Sequence, residues 1–219
     1  MWFQEASRLQ SRDLPPKIKA LDFVRGFFYF YQMQITGIIL AGGKSTRMGT
    51  DKALLKIEGE TLLAKAVKLC RSVCDEILIS SNSEDHNVEN IVRIPDEIKD
   101  CGPLGGIYSC LRQAENEWSF VISVDATFVK PEFVSFLVNQ KFKNYDAVVP
   151  FHEKGKEPLI ALYNKSTLPF LEKNLEDGIY KMHFLLENHK TNFVDAQKWI
   201  KLNPLLFHNI NFPDDLINI

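Results

Sequence analysis

Short β-type runs alternate with helix-length amphipathic segments along most of the chain, and this alternation most constrains its fold. The first strand candidate is ITGIILA (35–41), and DEILISS, NIVRIP and WSFVISVD follow it in order. Strands that alternate with helices are typical of a mainly parallel sheet covered on both faces. We therefore predict a single domain of the α/β class: a doubly wound, mainly parallel (Rossmann-like) sheet with helices on both faces.

The segments between these runs carry helical periodicity and helix-start signals. TLLAKAVKLCRSV (61–73) predicts a helix whose apolar stripe consists of Leu62, Leu63, Ala66, Leu69 and Val73. CGPLGG predicts a turn that opens a helix through Leu111, and KPEFVSFLVNQ predicts a helix with Pro131 in its first turn. In the less regular second half, DAVVP, PLIALYN and TNFVDA indicate strands, whereas LPFLEKNL and YKMHFLLENH indicate helices.

The predicted topology also locates the ligand site. In open sheets of this class, ligands bind beyond the carboxyl ends of the strands. The loops after Ala41, Ser80, Pro95 and Val124 are therefore the predicted site.

Residues 1–33 stand apart from this pattern. The run ALDFVRGFFYFYQ is apolar, but Asp22 and Arg25 interrupt it, and it falls short of the ~20 residues that span a bilayer. Met33 lies two residues before the first predicted strand, so we expect translation to start there. The predicted organisation is an N-terminal extension at 1–33, upstream of the true start, followed by a domain at 34–219.

Composition narrows the classes of partner. The formal net charge of -2 over 219 residues argues against a nucleic-acid-wrapping protein, which needs a basic surplus. The four cysteines form no C-x-x-C pair and the five histidines have no H-E-x-x-H spacing. Reduced thiols in a cytoplasmic protein are the expected state, with a structural zinc site as the alternative. We expect neither nucleic acid nor membrane as a partner.

The loop after the first strand suggests phosphate chemistry. Its GGKST resembles the end of an ATPase phosphate-binding loop, but the residue five before Gly43 is Ile38, so the G-x-x-x-x-G-K-[ST] spacing fails. Instead, the strand runs directly into Ala41-Gly42-Gly43, where small residues let a nucleotide approach the backbone. The alternative is a glycine turn followed by a solvated basic stretch.

Three cations follow this glycine turn at short intervals, namely Lys44, Arg47 and Lys52. At an effective dielectric near 20, each cation–phosphate pair at ~4 Å contributes about 4 kcal/mol before desolvation. Together they can orient a triphosphate.

The segment LAGGKSTRMGTDKALL resembles the signature of the molybdenum cofactor guanylyltransferase family. Asp51-Lys52 is informative, since related cytidylyl and sugar-nucleotide enzymes usually carry Pro-Lys there. GPLGGI, VDATFV, PLIALY and NINFPDDL resemble later motifs of the family in the same order, so the resemblance covers 35–216. It implies a nucleotidyltransferase fold.

The residue after the buried WSFVISV run, Asp125, is by itself either a turn residue or a metal ligand. The resemblance implies that it binds Mg²⁺, the expected cofactor. This chain has Asp125-Ala126-Thr127-Phe128 where the family usually has D-x-P-F, so the proline that would fix the loop is absent.

Base recognition is predicted around Asp96 and Ser80. Asp96 is either a turn acid or, as the resemblance implies, a contact to the nucleoside of GTP. A carboxylate can accept hydrogen bonds from the guanine edge or from ribose hydroxyls. Ser80 stands where the family often has Asn, with Asn82 two residues later.

The resemblance thus implies catalytic roles for Arg47, Lys52 and Asp125. The implied nucleotide-binding residues are Leu40, Ala41, Gly42, Gly43, Lys52, Ser80, Asp96 and Asp125, and the implied metal ligand is Asp125.

The remaining motifs concern the acceptor side and the end of the chain. Lys154 and Lys156 precede PLIALY and are either solvated or in contact with the phosphate of a pterin substrate. Asn209 and Asn211 match the family's closing Asn-x-Asn motif.

The implied function is transfer of GMP from GTP to the phosphate of molybdopterin (the molybdenum cofactor), which yields the guanine dinucleotide and pyrophosphate. A related cytidylyl or sugar-phosphate transferase, or a catalytically weak binding and delivery protein for the cofactor, is the alternative. Transient contact with other cofactor-biosynthesis proteins or with molybdoenzymes is also expected.

Overall fold

The computed structural model describes residues 34–42, 51–141 and 144–210, which belong to one compact unit. Its strands are β1 Ile35–Leu40, β2 Lys56–Ile57, β3 Glu60–Thr61, β4 Glu76–Ser80, β5 Val92–Ile94, β6 Trp118–Ser123, β7 Ala147–His152, β8 Gly155–Lys156, β9 Ile160–Asn164 and β10 Thr191–Asp195. Its helices are α1 Leu62–Val73, α2 Gly102–Gln113, α3 Pro131–Val138, α4 Leu168–Glu176, α5 Met182–Glu187 and α6 Gln197–Leu202. The predicted extension at 1–33 lies outside the described residues.

The main sheet has the strand order β10-β7-β9-β6-β1-β4-β5, with β8 paired to β7. The pairs β6–β1, β1–β4 and β4–β5 are parallel, whereas β9 runs antiparallel to both β6 and β7. The predicted mainly parallel sheet is therefore confirmed, with two reversed strands, β9 and the short β8, that the sequence pattern does not reveal. Apolar periodicity carries no information on strand direction.

Helices cover both faces of this sheet, as predicted. On one face α1 contacts β1, β4 and α3, and Gly37 in β1 leaves room for the side chains of Cys70 in α1 and of Cys74 just after it. On the other face, Ile38 and Leu40 join a buried core with residues of α2, α4 and α5. Alternate residues of β1 therefore pack against different helical layers.

Some details differ from the prediction. On α1, Leu69 is only half-buried, whereas Val67 and Cys70 are buried, so the apolar stripe is rotated slightly from the predicted one. The β2–β3 hairpin, β8 and α6 are also unpredicted: strands of two residues carry no periodicity, and α6 has no buried apolar stripe. Within the described ranges, no helix combines the length and the apolar character needed to cross a membrane.

Candidate active site

The carboxyl ends of β1, β4 and β5 and the start of α2 surround a cleft of about 810 Å³. Its floor is formed where β1 leaves the sheet: the amides of Ala41 and Gly42 both donate to the carbonyl oxygen of Ser80, at 3.0 and 3.1 Å. These two bonds clamp the end of β1 to the end of β4. The wall residues are Leu40, Asp51, Ser81, Asn82, Ser83, His86, Asp96, Asp100, Gly102, Pro103, Gly106, Ser123 and Leu159.

One side of the cleft is formed by Asn82 and Asp96, which are joined by two hydrogen bonds. The Asn82 side-chain amide donates to Asp96 Oδ2 at 3.0 Å, and the Asp96 backbone amide donates to Asn82 Oδ1 at 3.0 Å. This reciprocal pair fixes the Asp96 carboxylate. Asp96 Oδ1 lies on the side of Gly106, where a Cβ atom would be 3.4 Å away.

Ser80 is buried beneath this wall and separates β4 from α2. A Cβ atom at Gly106 would lie only 2.2 Å from Ser80 Oγ, so any larger residue would force the Ser80 hydroxyl to rotate or α2 to move away from β4. Nearby, burial and the negative charge of Asp96 raise the pKa of the Cys110 thiol to about 12, and a hydrogen bond with Ser80 partly opposes this.

Charged groups meet at the opposite side. Asp51 caps a 3₁₀ turn at Lys52–Leu54 by accepting from the Ala53 amide at 3.0 Å. The Lys52 ammonium group lies 2.5 Å from Asp125 Oδ2, with side-chain exposures of 21% and 13% respectively. Lys52 and Asp125, 73 residues apart in sequence, are thus brought together.

The loop that carries Asp125 lacks the family's proline, and hydrogen bonds hold its backbone instead. The Ala126 amide donates to the Ser123 carbonyl at 3.0 Å, and the Ile210 amide donates to the Asp125 carbonyl at 3.3 Å. The Asn203 side chain also donates to the Phe128 carbonyl at 2.9 Å. The segment that contains the start of the Asn-x-Asn motif therefore lies beside the Asp125 loop.

A family model described as the MobA-like NTP transferase domain matches residues 37–192. The chain belongs to the MobA-like NTP transferase family. Two relatives are named probable molybdenum cofactor guanylyltransferase. The one from Pelotomaculum thermopropionicum is 32% identical over 84% of this chain and 91% of its own length. The one from Methanosarcina mazei is 34% identical over 84% of this chain and 89% of its own.

A solved structure supports the same family. The molybdopterin-guanine dinucleotide biosynthesis protein A from Archaeoglobus fulgidus is 28% identical, with a TM-score of 0.71 over 84% of this chain and 96% of that protein. Since the overlap spans nearly all of that chain, the nucleotidyltransferase fold of the MobA-like family is that of this protein.

Most of the site residues predicted for this MobA-like protein lie at the same edge of the sheet. Leu40, Ala41, Gly42, Ser80 and Asp96 line the cleft. Lys52 and Asp125 are not part of its lining. Lys52 directly follows the lining residue Asp51, and Asp125 lies two residues after the lining residue Ser123, which ends β6. Their roles stay predictions.

Other predicted residues are not placed at the cleft. Gly43, Lys44, Arg47 and Asn211 lie outside the described residues. Lys154 and Lys156 are exposed, and the Lys156 ammonium group lies 4.4 Å from the centre of the Phe193 ring.

Sequence reasoning missed Ser81 and His86. Both are buried, at 1% and 2% exposure, and His86 connects Ser81 to Asp51. No signal in SSNSEDH distinguishes this histidine from a surface residue, since the partner Asp51 lies 35 residues away.

Asp125 is the side chain expected to bind the metal. Within 34–42, 51–141 and 144–210, no group of three or more His, Cys, Asp or Glu side chains is arranged to hold a metal ion. Asp125 Oδ1 is buried and has no hydrogen-bond partner among the described residues. A buried carboxylate oxygen without a donor is costly unless a cation faces it, and Mg²⁺ prefers such hard oxygen ligands, so Asp125 fits the metal.

Proposed function

We propose that the protein is a molybdenum cofactor guanylyltransferase, which transfers GMP from GTP to the terminal phosphate of molybdopterin and releases pyrophosphate. The observation that carries the proposal is the cleft itself: in a chain of the MobA-like family, the Asn82–Asp96 wall and the Lys52–Asp125 pair lie at one edge of the sheet. The names of the two relatives support guanine and the molybdenum cofactor as substrates.

The reaction needs positioning more than proton transfer. A phosphate acceptor is already an anion at neutral pH, so no side chain has to act as a general base. The work of this chain is to align the acceptor oxygen, the α-phosphorus and the leaving pyrophosphate, and to offset the charge that develops. We assign this charge role to Lys52 and, in the part of the chain outside the described residues, to Arg47.

We assign the metal role to Asp125, whose buried Oδ1 is available and whose Oδ2 already holds Lys52. Mg²⁺, when bound, neutralises charge on the phosphate oxygens. The pairing with Lys52 orients the Asp125 carboxylate before the nucleotide arrives.

We assign base recognition to the Asn82–Asp96 wall. Asn82 occupies Asp96 Oδ2 and thereby fixes the plane of the carboxylate. Asp96 Oδ1, on the side of Gly106, can accept from the N1 and exocyclic amine edge of guanine.

The described cysteines are free, which supports a cytoplasmic location, where thiols stay reduced.

The test is pyrophosphate release with molybdopterin as acceptor, measured with GTP, CTP and ATP in turn. We expect turnover with GTP that requires Mg²⁺. Preferred turnover of CTP would reassign the protein to cytidylyl transfer, and tight molybdopterin binding without pyrophosphate release would reassign it to cofactor delivery.

Asp125→Asn tests the site within the same assay. Loss of the carboxylate charge should lower turnover by roughly 10² to 10³, the usual effect of removing a transition-state contact. Asp177→Asn, at the exposed end of α4, is the matched control and should turn over like the wild type. Equal turnover of Asp125→Asn and Asp177→Asn would remove Asp125 from the mechanism.

A further inference from the structure

A continuous series of hydrogen bonds joins the loop after β4 to the 3₁₀ turn at Lys52–Leu54. The Ser83 amide donates to Ser81 Oγ at 3.0 Å, and Ser81 Oγ lies 2.6 Å from His86 Nδ1. His86 Nε2 lies 2.8 Å from Asp51 Oδ2, and Asp51 Oδ1 accepts from the Ala53 amide at 3.0 Å. The series therefore connects two loops that are far apart in sequence.

At each step of this hydrogen-bond series one group can donate and the next can accept. The Asp51 carboxylate can only accept, so His86 Nε2 carries a hydrogen and donates. In that tautomer Nδ1 accepts from the Ser81 hydroxyl, whose oxygen in turn accepts from the Ser83 amide. Both nitrogens of the buried His86 ring are thus satisfied, which is the condition for burying such a group at low cost.

The turn at the far end has little stability of its own. A 3₁₀ helix of three residues has poor hydrogen-bond geometry and no cooperative length. Its two backbone bonds run from the Leu54 amide to the Asp51 carbonyl and from the Leu55 amide to the Lys52 carbonyl. Asp51 is therefore both the cap of the turn and the point where His86 holds it.

We propose that His86 is a positioning residue for nucleotidyl transfer, which holds Asp51 and, through it, Lys52 beside Asp125, at the end of the cleft that we assign to the triphosphate and call the phosphate side. The proposal rests on the proposed function of Lys52. Its geometric part, that His86 holds the turn, stands on the hydrogen bonds alone.

Two substitutions distinguish the hydrogen bonds that the two ring nitrogens of His86 make. The amide of Asn reaches about the position of Nδ1, so His86→Asn keeps a partner for Ser81 and loses the donor to Asp51. The amide of Gln reaches about the position of Nε2, so His86→Gln keeps the donor to Asp51. His189→Gln is the control, because His189 is paired with Asp146 at 3.3 Å at the amino edge of the sheet, away from the cleft.

The first readout is hydrogen–deuterium exchange of the ligand-free protein. In His86→Asn, the amides of Ala53, Leu54 and Leu55 should exchange at least about tenfold faster than in the wild type, because the cap has lost its anchor. Amides of β6 should be unaffected. In His86→Gln and His189→Gln the turn should exchange as in the wild type. Unchanged exchange of the turn in His86→Asn refutes the proposal.

The second readout is a double-mutant cycle in the GTP assay. His86→Asn should lower kcat/KM for GTP by about 10- to 100-fold, the range for residues that orient a functional group, and His86→Gln should recover most of it. In a Lys52→Met background, His86→Asn should cause no further loss, because the two residues act as a unit. Additive losses would mean that His86 does not act through Lys52.

The two readouts fail independently. If the wild type releases no pyrophosphate with GTP, guanylyl transfer is wrong, but the exchange of the turn still decides whether His86 positions it. If the wild type turns over GTP and the cycle is additive, the function holds and the positioning role is wrong.

Discussion

Gly106→Ala tests how closely α2 must approach β4 to form the cleft. A Cβ atom at this position would lie 2.2 Å from Ser80 Oγ and 3.3 Å from Ser80 Cβ. The first distance is far inside van der Waals contact, so the Ser80 hydroxyl must rotate or α2 must move away. Ser80 is 3% exposed and has little free space in which to rotate.

The expected loss of stability is small because two effects oppose each other. Overpacking a buried site costs about 1 to 3 kcal/mol, while alanine in place of glycine within a helix contributes about 1 kcal/mol. The free energy of unfolding should therefore fall by about 0 to 2 kcal/mol, and the variant should fold.

Nucleotide binding should suffer more than stability. Gly106, Ser80 and Asp96 all line the cleft, and the new methyl group would lie 3.4 Å from Asp96 Oδ1. The methyl group and the displaced hydroxyl thus occupy space at the proposed base wall. We expect the KM for GTP to rise at least about tenfold, which corresponds to about 1.4 kcal/mol.

The assay is pyrophosphate release at varied GTP, together with urea unfolding. Gly105→Ala is the matched control in the same helix: its Cβ would lie 3.1 Å from the Ile98 carbonyl oxygen, and Gly105 does not line the cleft. It should alter stability and leave the KM unchanged. A KM for GTP in Gly106→Ala equal to that of the wild type would refute the packing argument. So would an increase of about 1 kcal/mol in its free energy of unfolding, the full effect of helix propensity.

Two further predictions concern the core. Gly37→Ala should lower the free energy of unfolding by about 1 to 3 kcal/mol in urea, because its Cβ would lie 3.0 Å from Cys74 Sγ and 3.1 Å from Cys70 Cβ. Burial raises the pKa of Cys110 from its ordinary 9.0 to about 12, so only the unfolded chain releases this proton between these values and stability falls as pH rises above 9.0. From pH 8 to pH 10 the free energy of unfolding of the wild type should fall by about 1.4 kcal/mol more than that of Cys110→Ala. An equal fall in both proteins would contradict the burial of this thiol.

The parts of the fold that the sequence predicts are those with local signals. WSFVISVD is a continuous apolar run and becomes the central strand β6, and Pro131 begins α3 as its fixed backbone angle favours. The direction of β9 escapes such reasoning, because PLIALYN is apolar enough to be buried in either orientation. The segment between β6 and β9 contains α3, β7 and β8, and β9 returns antiparallel between β6 and β7.

The same distinction applies to the candidate site. Ser80 and Asp96 could be predicted because Ser80 ends β4 and Asp96 follows the end of β5 by two residues, and the carboxyl ends of parallel strands meet at one edge. His86 could not, because its importance comes from a bond to Asp51 across two loops. Hydrogen bonds between irregular segments leave no periodicity in a sequence.

The end of β4 links the two halves of the cleft through three adjacent groups. The Ser80 side chain lies against Gly106, below the base wall, and the Ser81 side chain lies against His86, on the path to Asp51 and the phosphate side. Successive side chains of a strand point to opposite faces, which explains why neighbours serve different walls. The Ser80 carbonyl, between them, accepts from Ala41 and Gly42. A shift of β4 along its axis would therefore displace the base wall, the glycine turn and the Asp51 anchor together, so nucleotide recognition and phosphate positioning depend on one strand end.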